Sequence, residues 1–513
     1  MCGILLHYHP HLNGDIDDEY AEFDESALYN KKLSCNNSSA KFNKMIPYIV
    51  DRGPNFASVR TSKAHGITWF SSVLSLRRPL CKQSIKVHDR YILQYNGELY
   101  NDDISHNDSQ YIAGLLEKLP VDVVLRRLYG EFAYSIYNTK TKCIYFGRDS
   151  VGKRSLSYHQ DNETGELFIT SVSGKLEGFK ACDAGIIYVY DTVRRTLYND
   201  MRLREYYQVS GTHDTDVELL QSNVDLLYNK LYDSINKRLT TIEPLHEENK
   251  THVSVLFSGG LDCSVIAALI CEQWKVNSDA VLELLNVAFE NPRTGMKPSE
   301  APDRILSKRS VKILRKLYPQ TKIKLVEVDV SYDDYLKHKP VVIDLMYPKD
   351  TEMDLSIAIA FYFASKGHGS LQEGDKTISY QRRSLVLFSG LGADELYGGY
   401  HKFNNKSPEL LIKELTKQIN NIYDRNLDRD DKCMACNGIE IRYPFLDEEV
   451  INLSTSLPIN YKTNKNILRL LATNKLQLMD IGEEPKRAIQ FGAKSAKMTK
   501  ESSSKKGTSV ITP

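Results

Sequence analysis

VSVLFSGGLDCSVIAAL, residues 253–269, carries the clearest structural signal in the second half of this 513-residue chain. Its apolar, β-branched run ends at Ser258 and two glycines, and a helical pattern begins near Asp262. A strand, a tight turn and a helix start in this order gather backbone N–H groups and the positive end of the helix dipole around one point. We therefore expect an anion site at the carboxyl end of a buried strand.

The side chains of this loop indicate which anion it binds. Ser258 and Ser264 add hydroxyl donors to the turn at Gly259 and Gly260, and Asp262 supplies the hard oxygen that Mg²⁺ prefers. The loop lacks the GxxxxGK[ST] pattern, so it is not a Walker A cradle. A bare glycine pair is equally typical of a plain strand-to-helix connection, but the full SGGxDxS spacing favours a phosphate-binding loop.

A second stretch, SLVLFSGLGADELYGGY at residues 384–400, repeats this arrangement. Another apolar strand runs into serine and glycine, and Asp394 and Glu395 follow. If both strands belong to one parallel sheet, both loops lie at its carboxyl edge, where such sheets bind ligands. Asp262 and Asp394 would then share one Mg²⁺, although the acidic pair alone is also typical of a helix start.

The two halves of the chain differ in their patterns. Strands and helices alternate from about residue 250 onward, which indicates a parallel sheet flanked by helices. Residues 1 to about 200 hold short segments rich in Tyr, Ile, Val and Phe, which indicate mainly β-sheet. We expect residues 30–44 to form a polar surface loop and residues 498–513 to be disordered.

The totals indicate a two-domain globular protein, because 513 residues are too many for one hydrophobic core. The 67 Lys and Arg residues nearly cancel the 66 Asp and Glu residues, which gives no electrostatic reason to expect nucleic acid or a membrane as a partner. We expect small-molecule partners. The sequence does not decide whether the protein forms a homodimer. No apolar run approaches the ~20 residues of a membrane helix, so a cytoplasmic location is predicted.

The cysteines add to this picture. There are nine of them, an odd number without a regular framework, which indicates free thiols in a reducing compartment. Cys433 and Cys436 form a lone CxxC, which we interpret as two ordinary thiols rather than a zinc site. Cys2 is different, because removal of Met1 would leave it as the first residue, with a thiol and a free α-amine.

Several motifs together resemble those of the glutamine-dependent asparagine synthetases. They are MCGI at the start, RGPN at 52–55, NGELYN at 96–101, LFSGGLDCS at 256–264, IRYPFLD at 441–447 and KRAIQFG at 486–492. The similarity covers nearly the whole chain. It is stronger still to the divergent asparagine synthetase domain-containing proteins, whose ending resembles KRAIQFG.

This resemblance implies an α+β N-terminal-nucleophile hydrolase fold, an αββα glutaminase sandwich, over residues 2–205. It implies an α/β pyrophosphatase-type domain with a parallel sheet, similar to the adenine nucleotide alpha hydrolases, over residues 220–497. The first domain would be a class II glutamine amidotransferase that releases ammonia from glutamine. The second would adenylate aspartate, with ATP and Mg²⁺, and amidate it to asparagine.

The resemblance also implies residue roles. Cys2 would be the nucleophile, with its own α-amine as the base that a thiol of pKa ~8.5 needs. Asn96 and Gly97 would form the oxyanion hole, and Lys465 would assist the second half-reaction. Glutamine contacts are implied for Arg77, Asn96, Gly97, Glu98 and Asp108. ATP contacts are implied for Leu256, Ser258, Gly259, Gly260, Asp262, Ser264, Val287, Ser389 and Gly390, with Asp262 and Asp394 on Mg²⁺.

Leu391 departs from the asparagine synthetases, in which a glutamate within SGEGADE is linked to forming the intermediate. Leucine can neither accept a proton nor carry charge, and Glu395 would replace that glutamate only if the loop turned it inward. Three hypotheses therefore stay open: a ligase that forms asparagine, the same chemistry on another carboxylic acid, and a non-synthesising binding or regulatory relative.

Overall fold

The computed structural model describes residues 2–10, 18–30, 33, 37–274, 279–400, 403, 406–485, 487–499 and 506–511. Strands dominate the first half. Its elements are, in chain order, β1 (Cys2–Tyr8), β2 (Glu19–Asp24), α1 (Glu25–Tyr29), α2 (Ala40–Val50), β3 (Phe56–Ser62), β4 (Ile67–Val73), β5 (Ile85–Val87), β6 (Tyr91–Leu99), α3 (Asp108–Lys118), α4 (Val121–Arg127), β7 (Gly130–Asn138), β8 (Cys143–Arg148), β9 (Ser157–Gln160), β10 (Leu167–Thr170), β11 (Lys180–Ala181), β12 (Ile186–Asp191) and β13 (Thr196–Arg202).

These strands form antiparallel sheets, one ordered β11-β9-β10-β1-β4-β3-β2 and one ordered β13-β12-β8-β7-β6-β5. Side chains alternate between the two faces of a strand, and β1 shows the result. Ile4 and Leu6 enter the core between the sheets, where they pack with Tyr137. Leu5 points to the opposite face and joins the cluster that contains Phe42 of α2.

The second sheet is covered in the same way on its outer face. Leu93 of β6 packs with Ile112 of α3 and Val124 of α4. The layers therefore run helix, sheet, sheet, helix, and the predicted αββα sandwich is confirmed.

Helices and strands alternate in the second half. Its elements are α5 (Val217–Thr240), β14 (His252–Leu256), α6 (Leu261–Gln273), β15 (Val281–Phe289), α7 (Pro302–Leu317), β16 (Lys322–Val330), α8 (Tyr332–Met346), α9 (Glu352–Lys366), β17 (His368–Glu373), β18 (Lys376–Gln381), β19 (Val386–Phe388), α10 (Ala393–Leu396), α11 (Pro408–Asn420), α12 (Asp428–Ala435), β20 (Glu440–Arg442), α13 (Glu448–Ser456), α14 (Ile459–Lys462), α15 (Asn466–Asn474), α16 (Met479–Gly482) and α17 (Ile489–Gly492).

The sheet of this half has the order β18-β17-β16-β15-β14-β19-β20. The five neighbouring strands β16, β15, β14, β19 and β20 pair in parallel. Strands β17 and β18 add an antiparallel edge beside β16. Because β14 and β19 are parallel neighbours, the loops that follow them lie at the same edge of the sheet. The predicted parallel-sheet domain is confirmed.

Residues 30–44 differ from the expected polar loop, because α2 already begins at Ala40. The hydroxyl of Ser39 caps this helix by accepting a hydrogen bond from the backbone N–H of Phe42 at 3.3 Å. Phe42, Met45 and Ile49 are buried on one face of the helix, so a helical period starts inside the polar stretch. Residues 31–32 and 34–36 lie outside the described residues.

The tail beyond residue 497 was expected to be disordered, yet residues 506–511 are hydrogen-bonded to the start of α9. Val510 forms an antiparallel bridge with Thr351, and the Met353 N–H donates to the Gly507 carbonyl at 3.0 Å. Short-range composition could not reveal these partners, since they lie far away in sequence. Residues 500–505 and 512–513 lie outside the described part of the chain.

Thiols and helices in the described segments give two further findings. Each cysteine located there is a free thiol, and burial raises the pKa of Cys433 and Cys436. No helix in those segments has both the length and the apolar content that crossing a bilayer requires.

Candidate active sites

Cys2 lies at the start of β1, which is flanked by β10 and β4. Its backbone N–H donates to Asn96 Oδ1 at 2.8 Å. Asn96 Nδ2 is buried and has no hydrogen-bond partner among the residues that the structure describes. The amide is therefore anchored through its oxygen, and its nitrogen is free to donate to an oxyanion beside Cys2.

Gly97 follows Asn96 in β6 and pairs with Phe132 in β7. A Cβ atom at position 97 would lie 2.1 Å from the Glu131 carbonyl oxygen and 2.7 Å from Phe132 Cα. Glycine alone fits so close an approach of two strands. Gly97 lines the same pocket as Cys2, so the predicted nucleophile and oxyanion donors come together in the folded chain.

The residues predicted to hold the glutamine α-groups also meet in this pocket. Arg77 Nη2 lies 2.8 Å from Glu98 Oε1, and Arg77 Nη1 lies 3.8 Å from Asp108 Oδ1. Asp108 Oδ2 accepts a hydrogen bond from the Leu99 N–H at 2.9 Å. Burial raises the pKa of Asp108, and the guanidinium of Arg77 opposes that shift. A guanidinium beside two carboxylates suits a zwitterionic amino acid, because each charge of the ligand finds its opposite.

The glutaminase pocket is small, with a cavity of about 30 Å³. Ligand pockets usually measure roughly 300 Å³ or more, so a molecule the size of the predicted glutamine would enter only if side chains move. Arg77 is the side chain best placed to do so, because it is 11% exposed while the carboxylates it contacts are nearly fully buried.

Glu440 is a pocket residue that the sequence did not reveal, because it comes from β20 of the other half of the chain. Although burial favours its neutral form, positive charges that include Arg442 and Arg154 hold the pKa of Glu440 well below its usual value. Burial raises the pKa of the Cys2 thiol, and the Glu440 carboxylate adds to that increase. The thiol therefore needs a base to become a nucleophile at neutral pH.

Arg52, from the RGPN motif, ties the start of β1 to α12. Its Nη2 donates to Asp431 Oδ2 at 2.9 Å, and its Nε reaches the Cys2 carbonyl oxygen at 3.5 Å. The Ser155 hydroxyl donates to the same Asp431 oxygen at 2.7 Å. Arg52 is thus a link between the two halves and not a glutamine contact.

The second site is a cavity of about 470 Å³ at the carboxyl edge of the parallel sheet. It lies beyond β14, β15 and β19, as the sequence predicts for the two loops. The predicted ATP and metal residues that line it are Leu256, Ser258, Gly260, Asp262, Val287, Ser389, Gly390 and Asp394, together with Lys465.

Gly259 and Ser264 support the loop from behind and do not line this cavity. Gly259 has φ +81°, and a Cβ atom there would lie 2.6 Å from the Ser307 backbone nitrogen. The fully buried Ser264 hydroxyl donates to the Gly259 carbonyl at 3.4 Å. In this structure the Ser264 hydroxyl stabilises the turn, and its predicted contact with ATP stays a prediction.

Lys465 joins the two loops that follow β14 and β19. Its Nζ lies 2.7 Å and 2.6 Å from the two oxygens of Asp262 and 2.6 Å from Asp394 Oδ1. A Cβ atom at Gly399 would lie 2.2 Å from Lys465 Cε, so glycine makes room for the lysine. Lys465 is only 3% exposed and has left-handed backbone angles, with φ +59°. Strain of this kind collects at functional sites.

Asp262 and Asp394 fit the predicted Mg²⁺ in their donor chemistry, because one ammonium group reaches both carboxylates. Proteins usually hold Mg²⁺ through one or two carboxylates, with phosphate oxygens and waters as the remaining ligands. Within the described ranges, no group of three or more His, Cys, Asp or Glu side chains is arranged to hold a metal. These two aspartates would therefore hold Mg²⁺ together with a nucleotide.

Leu391 and Glu395 both line the cavity. Glu395 is buried, and its carboxylate accepts a hydrogen bond from the Tyr400 hydroxyl at 2.5 Å. The loop thus turns Glu395 inward, which the sequence left open.

The far wall of the cavity carries residues that no motif predicted. Met353, Ile357 and Phe361 of α9 form an apolar face. Beside it, Arg429 Nη1 lies 2.7 Å from Asp354 and Arg429 Nη2 lies 2.7 Å from Asp430. These residues belong to α9 and α12, which reach the site only through tertiary packing.

The full sequence is similar to proteins that are already known. A family model described as asparagine synthase matches residues 230–412 and 405–503, and one described as a glutamine amidotransferase domain matches residues 77–177. An asparagine synthetase domain-containing protein of Saccharomyces cerevisiae is 56% identical, over 100% of this chain and 99% of its own. Asparagine synthetase domain-containing protein 1 of Homo sapiens is 27% identical, over 98% of this chain and 96% of its own. The glutamine-hydrolysing asparagine synthetase of Rattus norvegicus is 26% identical, over 79% of this chain and 72% of its own.

Proposed function

This chain belongs to the asparagine synthase family, and from that premise we propose that it is a glutamine-hydrolysing, asparagine synthetase-like ligase. The matched domains support glutamine-dependent ligase chemistry. In the proposed reaction, ammonia from glutamine amidates aspartate at the expense of ATP, which leaves as AMP and pyrophosphate. We keep the cytoplasm as the proposed location, since free thiols and these small-molecule substrates suit it.

In the glutaminase half, removal of Met1 frees the α-amine of Cys2, which takes the thiol proton. The thiolate attacks the glutamine amide carbon, and the oxyanion is met by Asn96 Nδ2 and the Gly97 N–H. Collapse of this intermediate releases ammonia, and water then hydrolyses the thioester to glutamate. Arg77 and Asp108 hold the glutamine carboxylate and α-amine.

In the synthetase half, the aspartate side-chain carboxylate attacks the α-phosphorus of ATP and displaces pyrophosphate. The loop at Ser258 and Gly260 donates to the departing phosphates. Ammonia then attacks the acyl-adenylate and displaces AMP, while the ammonium of Lys465 balances negative charge. Mg²⁺, held by Asp262 and Asp394, supplies charge neutralisation on the phosphates when it is bound.

The observation that carries this proposal is the meeting of Lys465 with Asp262 and Asp394 at 2.6–2.7 Å. Three residues from separate stretches of sequence converge beside a glycine-serine loop at a helix start. An arrangement that serves only stability would not need this loop and cavity around the ion pair.

A second candidate keeps this chemistry but uses another carboxylic acid. It is favoured by Leu391, together with the apolar face of Met353, Ile357 and Phe361 in the same cavity. An acid with an apolar side chain would bury surface there, whereas the second carboxylate of a bound amino acid would lose hydration.

The deciding experiment measures glutamate release and pyrophosphate release side by side on the purified protein, with and without aspartate. We expect aspartate to stimulate pyrophosphate release and amide to form. A Cys2→Ala variant should lose glutamate release but still form the amide from added ammonium. Pyrophosphate release with a screened acid other than aspartate would support the second candidate. If neither glutamate nor pyrophosphate is released with any acid, only the non-synthesising hypothesis remains.

A further inference from the structure

Residues 487–499 form a wall of the nucleotide cavity that the proposed function leaves without a role. Arg487, Ile489 and Gln490 line that cavity. The segment belongs to the motif KRAIQFG, of which Lys486 lies outside the described residues. The side chains at the start of the segment therefore face the space in which a nucleotide would sit.

The segment is fixed to the sheet close to Val287, which was predicted to contact ATP. The Phe289 N–H, two residues after Val287, donates to the Ala493 carbonyl at 2.9 Å. The Ser495 hydroxyl donates to the Ser356 carbonyl at 2.6 Å. These bonds hold the wall against the carboxyl end of β15 and against α9.

Gly492 allows the wall to approach closely. A Cβ atom there would lie 2.1 Å from both carboxylate oxygens of Asp303, in the first turn of α7. Asp303 lines the same cavity as Gln490. The glycine thus brings the preceding Gln490 in beside β15 and α7.

Gln490 is 7% exposed, and its Oε1 atom has no hydrogen-bond partner in the segments that the structure describes. Asn286, a cavity amide on β15, is by contrast fully engaged. Its Nδ2 donates to the Phe257 and Asp303 carbonyls, and its Oδ1 accepts from Arg304 at 2.6 Å.

A buried amide oxygen without a partner is unfavourable, so its retention points to a ligand that completes it. The terminal torsion of a glutamine side chain is soft, and its amide can turn into the cavity. An amide offers an acceptor and a donor side by side, which matches the 6-amino group and N7 of adenine. The apolar side chains of Leu256 and Val287 in the same cavity suit the faces of a purine.

We propose that Gln490 reads the edge of the adenine base, so that the C-terminal wall sets the nucleotide specificity of this site. The inference rests on the proposed function for the presence of ATP. Gln490 accepts a hydrogen bond from the 6-amino group and donates one to a ring nitrogen. The bound nucleotide thereby satisfies an amide that the chain alone leaves without a partner.

The test is a titration of the full-length protein, without acceptor acid, by Mg²⁺-ATP and by Mg²⁺-purine riboside triphosphate, which lacks the 6-amino group. Calorimetry gives the Kd of each nucleotide for the unmodified protein and for Gln490→Met, which keeps the side-chain length but has no amide. We expect loss of the 6-amino group to weaken binding to the unmodified protein by roughly tenfold. Gln490→Met should bind ATP roughly tenfold more weakly than the unmodified protein does. Its affinity should not fall further when the analogue replaces ATP.

Phe491→Leu is the matched control, because Phe491 is the next residue and is 56% exposed. It should discriminate between the two nucleotides as the unmodified protein does. Gln490→Leu repeats the measurement if thermal melting shows that Gln490→Met is misfolded.

Two results would overturn the inference, and they differ in what else they overturn. If replacing ATP by the analogue raises the Kd by the same factor in the unmodified protein and in Gln490→Met, Gln490 does not read the 6-amino group. The ATP site itself would still stand. If the unmodified protein binds neither nucleotide, the synthetase half of the proposed function falls as well.

Discussion

At the scale of single residues, Lys465 shows how one side chain organises a site. Its ammonium lies within 2.7 Å of two aspartates that come from separate loops. The same residue has left-handed backbone angles, which a long side chain adopts only when its surroundings impose them. The two ion pairs fix the position of this lysine between the loops that follow β14 and β19, where the proposed function gives it a chemical role.

Replacing this lysine should separate the two activities. We expect Lys465→Met to lower pyrophosphate release by roughly 100-fold, as removal of one charge-stabilising group typically does. It should also destabilise the fold by about 3 kcal/mol, because two carboxylates that are only 16% and 13% exposed lose their counter-ion. Glutamate release should stay within twofold. The control is Lys475→Met, since the ion pair of Lys475 with Asp225 is exposed; unchanged pyrophosphate release in Lys465→Met would contradict its role.

The burial of His7 leads to a prediction of how the free energy of unfolding depends on pH. Burial lowers the pKa of His7 to about 4, and the neighbouring His9 adds to this decrease. The unfolded chain therefore binds more protons between pH 6.5 and 4, so stability is lost as the pH falls through that window, by up to about 3 kcal/mol. His7→Phe keeps the stacking on Phe168, whose ring lies 4.2 Å away, and should remove this acid sensitivity.

The measurement is the denaturation midpoint at pH 7 and at pH 4.5 for the unmodified protein and for His7→Phe. His213→Phe, at an exposed position, is the control and should keep the full pH dependence. An equal fall of the midpoint in all three proteins would show that His7 does not titrate in this way.

At the scale of elements, α12 is the helix that joins the two sites. Its polar residues Asp428, Asp430 and Asp431 are buried. Asp430 faces the nucleotide cavity, whereas Asp431 binds Arg52 of the glutaminase half. A helix of such composition would ordinarily be assigned to the surface. Its burial is tolerable because counter-charges come both from the helix itself, as with Arg429 on Asp430, and from the other half, as with Arg52 on Asp431.

Asp431→Ala should therefore be strongly destabilising. Removal of the carboxylate leaves the fully buried guanidiniums of Arg52 and Arg154 without this partner, and such changes cost about 3–5 kcal/mol. The pair of Asp424 with Lys349, in which the aspartate is 54% exposed, provides the comparison, and Asp424→Ala should change stability by about 1 kcal/mol or less. Urea unfolding of both variants measures the difference; equal midpoints would contradict a structural role for Asp431.

At the scale of the whole molecule, buried ion pairs join the two halves into one unit. Arg238 of α5 lies 2.8 Å from Glu131 of β7 and 2.8 Å from Asp447. Arg148 of β8 lies 3.2 Å from Asp428 of α12. These charges are almost completely buried, so separating the halves would expose unpaired partners on both sides.

We expect the halves to unfold together for this reason. Differential scanning calorimetry should give a single transition, and loss of glutamate release on heating should follow the same curve. Two resolved transitions, with glutaminase activity lost in only one, would show that the contact between the halves contributes little.

Local patterns in the sequence were enough to predict the two folds and where the loops at the sheet edge lie. Hydrophobic periodicity, SGGxDxS and NGELYN are local signals, and each is carried by residues a few positions apart. Such patterns are readable because a strand, a turn and a helix start are built from neighbouring residues. They place Asp262 beyond β14 and Asn96 on β6 without knowledge of the rest of the chain.

Tertiary structure alone decided which distant side chains share a site. It brought Glu440 into the glutaminase pocket, placed Gln490 in the nucleotide cavity and directed the Ser264 hydroxyl back into the turn. It also moved the start of α2 and paired the end of the chain with α9. The physical reason is that burial and charge pairing act between residues far apart in sequence, and no local pattern records which partners they will meet.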